Sequence, residues 1–183
     1  MALEKTPICN FDESAKSFNL KAIDENYYNL ESIKGEKGTL IMFICNHCPY
    51  VKAIIKELSE TVNELEKYGI KSVGIMSNDT IKYPDDSFEN MKHFAKENNF
   101  KFPYLIDETQ QVAKDYGAVC TPDFFGYNSD LKLQYRGRLR PLKDLSPIMD
   151  GENELLQAMI TISENSKGPK DQNPSMGCNI KWK

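Results

Sequence analysis

The sequence predicts an α/β fold in which a mixed central β-sheet is flanked by helices, with a β-hairpin at its N-terminal side. Three observations carry this. Residues 39–44 are an unbroken apolar run after Lys37 and Gly38, the pattern of a strand buried on both faces. Residues 49–68 place Val51, Ile54, Ile55, Leu58, Val62 and Leu65 on one helical stripe, and Gly69 closes it. Residues 71–76 return at once as a second strand, giving a β-α-β unit with parallel strands and a right-handed crossover.

The other elements follow in order. Residues 17–21 and 27–30 flank Asp24, Glu25 and Asn26 and read as the N-terminal hairpin. After a polar loop over residues 77–86, Ser87 caps a helix carrying Phe88, Met91, Phe94 and Ala95. Residues 104–106 suit a short strand, and residues 109–116 a helix ended by Gly117. Residues 123–128 and 131–136 pair across Asn128, Ser129 and Asp130 as a second hairpin. A last helix spans residues 152–164, with Leu155, Met159 and Ile162 on one face. One domain is therefore expected over residues 1–164. An irregular tail, rich in Gly, Pro and Asn, packs on or near it over residues 165–183.

The 183 residues suffice for one core without disulfides or a structural metal. The balance of 23 basic and 27 acidic side chains argues against nucleic acid or an anionic membrane as partner. There is no apolar run of transmembrane length, and the start MALEKTPICNFDESAK lacks the pattern of a signal peptide. A cytoplasmic protein is expected. Five cysteines, odd in number and thinly spread, suit reactive thiols in a reducing compartment better than a disulfide framework.

The chemistry concentrates in Cys45-Asn46-His47-Cys48-Pro49. Proline is favoured at the first helical position, which makes Cys48 the N-cap. A thiol there faces unpaired backbone N–H groups and the positive end of the helix dipole, so its pKa falls. The preceding strand delivers the loop to the carboxyl edge of the sheet, where open α/β folds place their sites. Cys45 and Cys48 form a C-x-x-C pair, within disulfide reach in a suitable backbone. A zinc site would want a second such pair or paired histidines, and the sequence has neither. Pro49 stands where haem attachment would need histidine. No metal or cofactor is expected. His47 would favour a neighbouring thiolate when protonated, but as a solvated loop residue it would do nothing, and both readings stay open.

The segments GTLIMFICNHCPYVKAIIKEL, DETQQVAKDYGAVCTPDFFGYNSDLKLQYRG and PSMGCNIKWK resemble thioredoxin-fold proteins of the alkyl hydroperoxide reductase/thiol-specific antioxidant group, in its peroxiredoxin-like branch. The resemblance runs from about Phe11 to Lys183 and implies a thioredoxin-like fold and a redox enzyme. By it, Thr121 and Pro122 match the threonine and cis-proline beside the active cysteine and would contact substrate. In the thioredoxin register Cys48 takes the first cysteine of the usual pair. Val51 falls where the second cysteine, or the peroxidatic cysteine, would stand, and the peroxiredoxin signature P-x-x-x-T-x-x-C is absent.

A resolving thiol must then come from elsewhere. Cys45 is the first candidate for its short loop, Cys120 the second, and Cys178 an additional redox thiol in the tail. Cys9 matches nothing. The three arginines, Arg136, Arg138 and Arg140, share one face of an extended strand, and one of them, Arg138 for instance, is placed to bind an anion or a thiolate.

The resulting expectation is an oxidoreductase working by thiol–disulfide exchange or peroxide reduction through Cys48. Its partners would be a dithiol reductant, a protein disulfide or a small peroxide, and its oligomeric state is open. A copper-binding chaperone with His93 as distant ligand is the second reading, although the cysteine spacing is one residue short of that pattern. A non-catalytic binding module is the third.

Overall fold

The computed structural model describes residues 2–183, and its first elements follow the apolar runs of the sequence. The chain opens with β1 (Leu3–Lys5), the hairpin β2 (Asn19–Ala22) and β3 (Tyr27–Asn29), and a short α1 (Leu30–Ile33). The β-α-β unit is β4 (Gly38–Phe43), α2 (Pro49–Glu66) and β5 (Ile70–Met76). Next come α3 (Phe88–Glu97), β6 (Tyr104–Ile106) and α4 (Gln111–Tyr116), then β7 (Cys120–Thr121), β8 (Asp123–Asn128) and β9 (Leu133–Tyr135). A small hairpin, β10 (Leu142–Lys143) and β11 (Ser146–Pro147), precedes α5 (Glu154–Asn165) and β12 (Met176–Asn179).

Seven strands make the central sheet, in the order β3-β2-β6-β5-β4-β8-β9. β4 pairs parallel with β5, and β5 with β6, while the flanking pairs are antiparallel, so the sheet is mixed. Alternation along β4 builds two cores. Leu40 and Met42 join Ile54 and Leu58 of α2 and Met159 of α5 on one side. Ile41 and Phe43 join Ile33 of α1 and Val112 and Tyr116 of α4 on the other. Central strands covered by helices on both faces need unbroken apolar sequence, which is why residues 39–44 stood out.

Two expected boundaries shift for local reasons. The strand expected over residues 27–30 stops at Asn29, whose side chain caps α1 in a reciprocal box with Ser32. The helix expected from residue 109 begins at Gln111, because Gln110 adopts a left-handed backbone with φ 63°.

The tail departs most. Expected to be irregular over residues 165–183, it carries β12, the middle strand of a second sheet ordered β1-β12-β7. Cys178 lies opposite Thr121 on one side and opposite Leu3 on the other. A Cβ at Gly177 would fall 1.9 Å from the Thr121 carbonyl oxygen, so only glycine lets the strands close. Strand character here comes from partners far away in sequence, and Met-Gly-Cys-Asn carries no local pattern to announce it.

Candidate active site

Three segments meet at the end of β4. The first is the loop Cys45–Cys48, held between Ile44, whose N–H donates to the Ile75 carbonyl, and the first turn of α2. Pro49 starts that helix, and Cys48 is its N-cap, with extended backbone at φ −65° and ψ 123°. The second is β7, where the Thr121–Pro122 peptide bond is cis, the geometry that the family resemblance implied. The third is β12.

Cys45 and Cys48 are both fully buried. The Cys48 thiol donates to the Thr121 carbonyl at 3.1 Å, and Cys45 Sγ lies 3.2 Å from Thr121 Oγ1. As a thiolate, the Cys48 sulfur would accept hydrogen bonds from the neighbouring Cys45 and Cys178 thiols. The N–H of Val51 faces that sulfur from the first helical turn without closing a capping bond. One carbonyl favours the thiol, whereas two thiol donors and the helix N-terminus favour the thiolate. The donors win. Hydrogen bonding from Cys45 first, and from Cys178 after it, lowers the Cys48 pKa to about 5 against the opposing effect of burial. The helix end alone, the cause expected from sequence, is a lesser contributor.

The neighbouring thiols shift the other way. Burial, with the Cys48 charge adding to it, pushes Cys45 well up and Cys178 up to about 12. Cys120 is raised by burial, and its sulfur turns away from the cluster toward the Pro122 carbonyl at 3.6 Å. Adjacent strand residues face opposite ways, so a β7 that turns Thr121 toward Cys45 must turn Cys120 aside. Cys9 sits half-buried elsewhere, raised to about 11 by burial.

His47 does not hang free in solvent. Its Nδ1 lies 2.6 Å from Asp86 Oδ2, and its ring stacks on Tyr83 at 5.7 Å. Asp86 is completely buried, accepts from the backbone N–H of Asn46 and His47, and takes a third bond from Asn78 Nδ2. This carboxylate fixes the active-site loop, and sequence reading missed it. Its only trace was a Pro-Asp-Asp turn in a segment read as polar loop.

Hydrogen bonding to Asp86 raises the His47 pKa. The pair therefore stabilises the fold fully below the unfolded histidine value of about 6.5, and that contribution fades as pH rises through the higher folded value. In Asp86→Asn, the His47 titration followed by NMR should move down. The variant's stability deficit should be larger at about pH 5.5 than at about pH 8. An unmoved His47 titration would disprove the coupling.

The arginines do not share a strand face, because β9 ends at Tyr135. Each pairs with its own carboxylate: Arg136 with Asp123, Arg138 with Glu154 and Arg140 with Glu57. Arg138 nonetheless borders a cavity of about 320 Å³ beside Pro122, shared with Lys5, Arg140 and Met176. His93 is exposed on α3 and does not join the thiols as the copper reading required. Among the described residues, Cys45, His47 and Asp86 alone bring three metal-ligating atoms within 4.8 Å, and there Nδ1 and the carboxylate already bind each other. No helix of the described residues is long and apolar enough to cross a membrane.

A family model described as the AhpC/TSA family matches residues 11–140. The thiol-disulfide oxidoreductase ResA of Bacillus thuringiensis subsp. konkukian is 30% identical over 122 residues, which cover 66% of this chain and 65% of that protein. The chain thus spans just under two thirds of that relative's length. An uncharacterized conserved protein from Geobacillus kaustophilus superposes with a TM-score of 0.94 at 42% identity, covering 100% of this chain and 97% of the other. A secreted disulfide oxidoreductase of Mycobacterium tuberculosis shares the fold, with a TM-score of 0.56 at 18% identity over 69% of this chain and 87% of that one.

Proposed function

Because the chain belongs to the AhpC/TSA family, we propose that it is a thiol–disulfide oxidoreductase whose nucleophile is the Cys48 thiolate. One observation carries this reading: the Cys48 sulfur lies at a helix N-terminus beside the Cys45 and Cys178 thiols, an arrangement that lowers its pKa to about 5. Nucleophilic attack needs the thiolate, and a group with this pKa is almost wholly ionised at neutral pH. The thiolate attacks one sulfur of a disulfide, forms a mixed disulfide and releases the other sulfur as a thiolate. A second thiol of this chain then displaces the bound half, and a dithiol reductant restores the starting state. Thr121 and Pro122, beside the sulfur, are the residues that would line a disulfide bound at Cys48.

Disulfide is favoured over peroxide as the oxidant. The residue standing in the peroxidatic position is Val51, buried on α2, and no arginine is free beside Cys48. All three are committed to carboxylates. The test is to mix the reduced protein with oxidised glutathione or with hydrogen peroxide and follow Cys48 by mass spectrometry. Faster oxidation by the disulfide, through a glutathione adduct on Cys48, is expected. Faster oxidation by peroxide, or a Cys48 that stays reduced, would remove this reading.

A further inference from the structure

The placement of β12 goes further than the identity of the nucleophile. Resting on the reading above, we infer that Cys178 is the resolving thiol and that Cys48–Cys178 is the working disulfide, with Cys45 serving as the hydrogen-bond donor that prepares the thiolate. Cys178 stands opposite Thr121 in the β7–β12 ladder, and Thr121 is the residue whose carbonyl meets Cys48. The strand pairing therefore sets the Cys178 side chain against the Cys48 sulfur from outside the loop, while Cys45 meets the same sulfur from within it.

Cys45 is poorly placed to resolve. It is fully buried at the foot of β4, engaged with Thr121 Oγ1 on one side and Cys48 on the other. Asp86 lies close enough to oppose its ionisation. Cys178 has Lys181 beside it, which favours its thiolate. Both thiols lose the opposing Cys48 charge once Cys48 is in a mixed disulfide. Asp86 then still opposes the Cys45 thiolate, whereas Lys181 favours that of Cys178.

Mobility separates the two thiols as well. Cys48 is enclosed, so an external disulfide reaches it only when a covering segment yields. The covering strand is β12, held along its length by two residues of β7 and three of the exposed β1. Displacing β12 admits the disulfide and carries Cys178 aside, and its return brings Cys178 back against the adduct. The Cys178 thiolate then attacks Cys48 Sγ. The Cys48–Cys178 bond forms, the Cys48–substrate S–S bond breaks, and the substrate half leaves as a thiolate that takes up the proton Cys178 gave to solvent. Both protein thiols are oxidised and the substrate disulfide is reduced to two thiols. An external dithiol reverses the protein half.

The test uses the whole chain, oxidised with oxidised glutathione, alkylated in acid and mapped by peptide mass spectrometry. The wild type should yield a Cys48–Cys178 peptide pair, a result that depends on no variant folding. Cys178→Ala should lose that pair and accumulate glutathione on Cys48. Cys45→Ser should still form it, with the onset of reaction moved to higher pH. A Cys45–Cys48 pair in the wild type, or undiminished intramolecular disulfide in Cys178→Ala, would overturn the assignment while leaving Cys48 as nucleophile. Absence of any Cys48 adduct in all three proteins would overturn the oxidoreductase reading itself, and this inference with it.

Discussion

Serine in place of Cys48 should abolish disulfide exchange, leaving only the slow background of the remaining thiols. The reason is ionisation as much as chemistry. At pH 6 a thiol at the ordinary 9.0 is about 0.1% thiolate, whereas one at about 5 is roughly 90% ionised, an advantage near 900-fold. A lower pKa also weakens the nucleophile, and four units with a Brønsted slope of about 0.4–0.5 give back about 40- to 100-fold. The net gain is on the order of tenfold in mildly acid solution. Iodoacetamide rates on the reduced protein should therefore inflect near pH 5 and stay level above it. Removing Cys45, the first cause of the shift, should move that inflection upward. An inflection near pH 9 in the wild type would contradict the site as described.

The same shift acts on folding. A depressed thiol pKa gives stability that is fully present above the unfolded value of 9.0 and is lost as pH falls through about 5. Between about pH 5 and 7 the wild type should gain about 2 kcal/mol from this group, since at pH 5 it is already half ionised, and Cys48→Ser should not. Urea unfolding of both proteins at the two pH values measures the difference.

Arg136→Ala should be strongly destabilising, at about 3–5 kcal/mol, because it strands a buried carboxylate. Asp123 is fully buried, and burial raises it to about 6 even with Arg136 opposing. The guanidinium reaches Asp123 Oδ2 at 3.0 Å and the Gly117 carbonyl at 2.7 Å, and lies 4.4 Å from the centre of the Phe125 ring. Without it the carboxyl is driven toward the neutral form. A raised acid pKa gives stability that grows as pH falls, so the deficit should be smaller at about pH 5 than at about pH 8. Asp123→Asn in the same background should recover part of the loss. A deficit under about 1 kcal/mol would mean that water already reaches the pair. Asp123 directly follows the cis proline, so this pair also braces the strand on which the Cys48 site is built.

The parts of the molecule legible from sequence are those whose pattern is local. Leu40 to Ile44, the α2 stripe and the Pro49 helix start each announce themselves within a few residues, and they fix the centre of the sheet and the position of Cys48. The resemblance supplied Pro122, which no periodicity marks. What escaped depends on distant partners. Asp86 acquires its role only by folding under a loop 40 residues earlier, and β12 is a strand only because β1 and β7 border it. The arginine spacing suggested a shared face, but the strand ends before Arg136, and each guanidinium finds a carboxylate on a different element. Alternation is informative only while the backbone stays extended.

The small sheet β1-β12-β7 joins residues 3–5 to residues 176–178, contacts of great sequence separation made in short ladders. Closing so long a loop costs entropy that short ladders repay poorly. The opening inferred above would part the β1 and β7 ladders between the anchors at Ser175 and Lys181, while the seven-stranded sheet remains closed. Turnover would then be the intrinsic exchange rate multiplied by the small fraction of molecules in which the flap is open. Temperature, denaturant below the unfolding range or a weakened β1 would each act on catalysis through that fraction, with no change at the sulfur itself.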